Sequence, residues 1–247
     1  MINPVPRSFP AKILRLLSRR FEAGAEPVTL LPCELVSGNG AVLRKIVGEL
    51  ARRWRLGADS IGFIENECLW VDSLVDRIVS QPLDPIGAVA EPYALWAIGD
   101  RAGFVAPCAH PAIKVVADIA PYERLKLFVL NLGHSYLADH WRVSDGSAQA
   151  NMRKIMADDE SRARLLELYD EEIIPVFAAA GMEREVRAYI GEVMERFANP
   201  FLDHRLAEIA INHAAKVERR MVAFLAWADS MMVDAPRRRL ETVIGRL

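Results

Sequence analysis

The pattern of the chain changes once, near residue 121, and that change constrains the fold more than any single motif. Before it, short runs rich in Val and Ile alternate with helical stretches. Pro10 to Phe21 reads as a helix, Val28 to Leu35 as a buried strand, Gly38-Asn39-Gly40 as a turn and Ala41 to Trp54 as a helix, one β-turn-α unit. Leu74 to Val79, Ala94 to Ile98 and Ile113 to Ile119 are further strand candidates. From Tyr122 onward the chain reads as helices only: Leu125 to Ala138, Ser147 to Met156, Ser161 to Phe177, Glu183 to Phe197, Asp203 to Phe224 and Arg237 to Ile244. Pro175, Gly181 and Pro200 mark interruptions or boundaries among them. The expected fold is therefore an α/β part, roughly 1–120, followed by an all-α part, roughly 121–247, mainly helical overall.

Composition excludes several classes of function. Hydrophobic content of 52% and charged content of 26% suit a globular chain, and 247 residues can bury a substantial core. A net charge of −2 carries no footprint of nucleic-acid binding. The basic run Arg237-Arg238-Arg239 reads as a solvated helix start after Pro236. No apolar run reaches the ~18 residues of a membrane helix. Lys12, Arg15, Arg19 and Arg20 break up any signal peptide. Cys33, Cys68 and Cys108 are odd in number and lack CxxC spacing, which points away from disulfides and zinc and toward the cytoplasm.

Within the helical part, Lys126, Asn131 and His134 follow a Lys-x4-Asn-x2-His spacing. At about 100° per residue, with Lys126 at zero, Asn131 falls near ~140°, His134 near ~80° and Glu123 near ~60° on a regular helix. An amine, an amide, an imidazole and a carboxylate thus leave one side of a segment otherwise made of Leu, Phe and Val. Such groups need partners or a wet cleft. Taken alone, the trio also reads as a lysine snorkelling beside a capped helix.

The trio has company. RSFPAKILRLLSRRF at 7–21, LLPCELVSGNGAVL at 30–43, LVDRIV at 74–79, EPYALWAI at 91–98, PYERLKLFVLNLGH at 121–134 and RFANPFLDHRLAEIAINHAAK at 196–216 run in order along the chain. Together these blocks resemble the mannitol dehydrogenase family, the polyol-specific long-chain dehydrogenases that include hexuronate reductases. His204, Glu208, Asn212 and His213 stand where the mannitol-type pattern has other groups, and the His-x-Leu…Ile-Ala-x-Asn form is more similar to the tagaturonate and fructuronate reductase branch. The resemblance implies a Rossmann-like cofactor part followed by a helical substrate domain related to that of 6-phosphogluconate dehydrogenase.

It also implies an oxidoreductase using NAD or NADP on a small sugar alcohol or sugar acid. Lys126 would be the acid/base. An unperturbed lysine titrates near ~10.4, so burial or a neighbouring cation must lower it. Asn131 would donate to the developing oxyanion, with Asn39 as second donor, although Asn-Gly is equally a good turn pair. His134 would orient the substrate oxygen, and Glu123 would relay the proton or form a plain salt bridge. Asp76 and Arg77 would line the cleft or clamp the sheet. His204 would contact substrate, and Lys216 would suit a sugar carboxylate.

No GxGxxG and no Walker lysine occurs, and Ser37 to Gly40 is short for a pyrophosphate cradle. The chain is expected to begin inside the cofactor domain, without its first βαβ unit. The alternative is an inactive or partner-dependent remnant, associating with itself or another chain through an exposed sheet edge. A metal at His134, Asp139, His140 and Asp145 is not expected, because His134 and His140 point about 240° apart on a helix. His110, in a proline-rich turn, reads as structural.

Overall fold

The computed structural model describes residues 6–144 and 150–247. Asp145 and Ser147 lie outside the described residues. The chain forms two compact units, one of residues 1–76 and 94–122, the other of residues 77–93 and 123–247. The expected division near residue 120 is thus cut across by 77–93, which cluster with the helical unit.

In the α/β unit, α1 (Phe9–Glu22) begins at Ser8, whose Oγ accepts the Ala11 N–H, with Pro10 in the first turn. β1 (Thr29–Leu30) pairs in parallel with β2 (Leu69–Trp70). α2 (Asn39–Arg53) starts one residue after Gly38, which sits at φ 62°, so Asn39 and Gly40 belong to the helix rather than to a turn. Gly40 is needed there: a Cβ would lie 2.6 Å from the Val71 carbonyl carbon. α3 (Ala58–Gly62) runs on into a π-helical turn at Phe63–Glu67.

Leu14, Leu17, Leu43, Val47, Ala51, Ile64 and Trp70 make this unit's core, between α1, α2 and the β1–β2 pair. β3 (Ser73–Asp76) lies antiparallel to β6 (Leu95–Gly99), which pairs in parallel with β7 (Ile113–Val116). The expected strand Val28 to Leu35 shrinks to two residues. Beyond it, the Pro32 and Glu34 carbonyls accept from the Asn39 side chain instead of from a neighbouring strand.

The helical unit includes a hairpin, β4 (Val79–Pro82) with β5 (Ala88–Ala90). α4 (Ala120–Leu125) passes through a π segment, Lys126–Asn131, into α5 (Leu132–Ser144). α6 (Met152–Ala157) and α7 (Asp159–Leu168) are capped by the Asn151 and Asp158 side chains. α7 continues through a second π segment, Tyr169–Ile173, into α8 (Ile174–Ala179). Pro175, expected to interrupt, follows that widened turn directly, where a missing N–H and a crowded i−4 carbonyl are tolerated.

α9 (Glu183–Phe197) runs as read from sequence. The stretch expected as one helix from Asp203 to Phe224 is broken. α10 (Leu206–Ile209) stops, Asn212 takes φ 56°, and α11 (His213–Val217) restarts and passes through a π segment, Glu218–Val222, into α12 (Ala223–Ser230). α13 (Arg238–Ile244) is capped by the buried Glu172 carboxylate, which accepts the Arg239 and Leu240 N–H groups. Leu132, Leu137, Leu165, Leu168, Tyr169, Phe177, Val193 and Phe224 fill the core of this unit. Among the described residues no helix is long and apolar enough to cross a membrane.

Candidate active site

The π segment of the α4–α5 helix carries the Lys-x4-Asn spacing. Its i→i+5 winding places Asn131 one wide turn beyond Lys126, closer in phase than the regular-helix estimate of ~140° allows. Side chains from the other two π segments of this unit hold it: the Tyr169 hydroxyl donates to the Val129 carbonyl at 3.0 Å, and Arg220 donates to the Asn131 carbonyl at 2.9 Å and to Ser135 Oγ at 2.7 Å. Gly133 admits Tyr169, because a Cβ there would lie 2.1 Å from its hydroxyl.

Lys126 is buried at 8% exposure and Asn131 is half-buried. His134, at 6% exposure, packs its ring against Phe197 (centroids 4.3 Å) and edge-on to His204 (4.9 Å). Neither His134 Nε2 nor His204 Nδ1 has a hydrogen-bond partner among the described residues. Burial first, then His204, Arg220, Arg196 and Lys216, push the His134 pKa well below its usual value, so His134 is a neutral imidazole. Burial also lowers His204 and, with Arg220 beside it, Lys216. Burial and the neighbouring Arg219 bring Arg220 down to about 10. The Lys216 ammonium donates to the Ile209 carbonyl at 2.7 Å. The result is a set of cationic side chains, Arg196, Lys216 and Arg220, acting on a buried histidine, an electrostatic setting that favours negative charge.

His134, His204 and Lys216 are therefore brought together, with Lys126 and Asn131 earlier on the same helix and Glu123 half-buried a turn before Lys126. Sequence reasoning missed Arg196 and Arg220. Arg220 lies four residues after Lys216, a same-face spacing that could have flagged it.

Arg77 donates to the Glu91 carbonyl, and Asp76 is buried in β3. Asn39 is saturated: its amide nitrogen faces the Pro32, Glu34 and Ser73 carbonyls at 2.7–3.1 Å, and its oxygen accepts the Ser73 N–H. It clamps the loop before α2. His110 accepts the Ala112 N–H within its own turn. Asp139 is engaged by His213 and Arg246 rather than by His134 or His140.

One consequence is measurable. A histidine held neutral in the folded state has a folded pKa below its unfolded value of ~6.5. Its contribution is fully present above that value and is lost as pH falls toward the folded pKa. Urea unfolding should show stability falling below pH ~6.5, by up to about 1.4 kcal/mol per pH unit from His134, with the slope reduced in His134→Phe. A flat profile from pH 7.5 to 5.5 would contradict a buried neutral imidazole.

Two solved structures that share this fold are dehydrogenases. A substrate-free D-sorbitol dehydrogenase matches with TM-score 0.72 at 23% identity, over 89% of this chain and 47% of that one. A Pseudomonas fluorescens mannitol 2-dehydrogenase ternary complex with NAD and D-mannitol matches with TM-score 0.67 at 19% identity, over 97% and 56%. Residues 4–108 match the mannitol dehydrogenase Rossmann domain and residues 118–237 the mannitol dehydrogenase C-terminal domain. The chain belongs to the mannitol dehydrogenase family.

Its curated relatives include an altronate oxidoreductase of Yersinia pestis, 33% identical over 94% of this chain and 52% of the relative. Another altronate oxidoreductase, from Bacillus subtilis, is 31% identical over 87% and 48%. The chain spans about half the length of these relatives.

The glycine turn does not form a dinucleotide cradle. The Ala41 N–H at the start of α2 is taken by Asp72 Oδ1 at 3.0 Å, and the space a Cβ would occupy at Gly40 is filled by the Val71–Asp72 backbone. The described residues offer a pyrophosphate no fitted site there.

Proposed function

We propose that this chain carries the substrate-handling part of an NAD(P)-dependent oxidoreductase that interconverts a secondary hydroxyl of a sugar alcohol or aldonate with the ketone of a ketose or keto-hexuronate. The observation that carries the reading is His134, a buried neutral imidazole with an unpartnered Nε2, on the same π-bulged helix as Lys126 and Asn131. In oxidation the Lys126 amine takes the hydroxyl proton, and in ketone reduction its ammonium returns it. The Asn131 amide donates to the oxygen as negative charge develops. Neutral His134 holds that oxygen through Nε2 without adding a competing charge, and Glu123 passes the proton between Lys126 and solvent.

Lys216 and Arg220, with His204 beside them, favour a substrate with a terminal carboxylate, in keeping with relatives named altronate oxidoreductase. Asn39 enters the reading as a second donor only if it exchanges a backbone partner. The residues described do not distinguish NAD from NADP. β7, at the end of the strand order β3-β6-β7, is the edge where the chain would associate with a second copy or a partner.

The test is oxidation of NADH and NADPH by the purified chain with ketoses and keto-hexuronates. Turnover is expected, faster with a keto-hexuronate than with a neutral ketose. A folded chain that turns over no ketone would set this reading aside in favour of an inactive or partner-dependent protein.

A further inference from the structure

Among its described residues the helical unit has three π segments, and side chains of two of them reach the one that carries Lys126 and Asn131. Each is one wide turn within a longer helix, an insertion that α winding does not need. At the end of the first, the Leu132 N–H goes to the Leu127 carbonyl, five residues back, and to the Val129 carbonyl, three back. Val129 also accepts from the Tyr169 hydroxyl, at the head of the second π segment, and Asn131 accepts from Arg220, within the third.

Where the wide turn sits decides what it does. Leu132, Leu137 and Ala138 are fully buried, and Leu125 packs against the same core, so the flanks are held by their own packing. Slid a turn along the helix, the insertion would leave Lys126 and Asn131 on regular winding, ~140° apart. A wide turn that spans 126–131 puts the amide on the side of the amine. Tyr169 and Arg220 mark that position. Tyr169 is 0% exposed, and burial pushes its phenol so far up that the hydroxyl keeps its proton and donates at any working pH. Arg220 Nη1 bridges the Asn131 carbonyl and, at 2.7 Å, Ser135 Oγ, so it spans the end of the wide turn and the first turn of α5.

We propose that Tyr169 and Arg220 are positioning residues, a role that rests on the proposed oxidoreductase function. By holding the Val129 and Asn131 carbonyls they fix the wide turn at Lys126–Asn131, and so deliver the Asn131 amide to the reacting oxygen.

A double-mutant cycle with a neutral ketose and NADH or NADPH, run far below the unfolding midpoint, tests this. The neutral substrate keeps any carboxylate attraction of Arg220 out of the comparison. Asn131→Ala should lower kcat by about 10²- to 10³-fold, and Tyr169→Phe by about 10- to 10²-fold. In the Asn131→Ala background, Tyr169→Phe should cost no more than about twofold further, because the amide it places is gone. Arg220→Met, at a half-buried position, carries the same cycle if Tyr169→Phe does not fold. Losses that simply multiply, or single variants that turn over like the wild type, would overturn the proposal. If the wild type itself turns over no ketone, the oxidoreductase reading fails, and a crystal structure of Tyr169→Phe or Arg220→Met decides the lock. A wide turn displaced from 126–131 supports it, and one left in place overturns it.

Discussion

Replacing Arg196 by Met is expected to lower the unfolding free energy of the helical unit by about 3–5 kcal/mol. Arg196 and Glu91 have side chains only 5% and 1% exposed, and the guanidinium meets the carboxylate through Nε and Nη2 at 2.8–3.1 Å. The same carboxylate accepts the Ile78 N–H at 2.6 Å, and the guanidinium lies 4.1 Å from the centre of the Tyr93 ring. The pair therefore ties the segment carrying β4 and β5 to α9. Removing one partner leaves an uncompensated charge in a dry interior, which is worse than removing both. Glu91→Leu combined with Arg196→Met should thus recover most of the loss. Urea denaturation of the wild type, both single variants and the double variant measures it. A loss of under about 1 kcal/mol in Arg196→Met would show the pair to be solvated.

Lys126→Ala should reduce ketone turnover by about 10²- to 10⁴-fold, the range for losing a positioned acid/base. The fold should survive, because the neighbours Phe128, Val129 and Leu130 supply this turn's packing, and Tyr169 and Arg220 hold its backbone independently of the lysine. The comparison is kcat/KM alongside circular dichroism and the unfolding midpoint. Turnover like the wild type in a folded variant would remove Lys126 from the chemistry. Loss of turnover together with loss of folding would instead make Lys126 a packing residue.

What was legible in the sequence was what depends on neighbours along the chain. α9 runs from Glu183 to Phe197 as its apolar period and the glycine before it require, and α1 covers the helix read from Pro10 to Phe21. The trio on α4–α5 could be found because all three residues lie on one helix. Its true phase could not, since a π turn has no sequence signature and depends on Tyr169 and Arg220 arriving from other helices. The break at Asn212 was missed because asparagine is merely tolerated at positive φ and does not demand it.

Glu91 and Arg196 each open a block that resembles the family, yet they lie 105 residues apart, and nothing local says that they meet. Asn39 shows the opposite limit. Its residue type fitted an oxyanion donor and a turn equally, and only its backbone partners revealed a clamp.

The account turns on whether the wall around His134 receives a sugar. The chain has five histidines, so their ring resonances can be assigned by single substitution and followed by NMR during titration with an aldonate. The His134 and His204 resonances should shift saturably while those of His110 and His140 stay in place. If saturating concentrations of aldonates and polyols move neither His134 nor His204, the site is not a substrate site and the account fails.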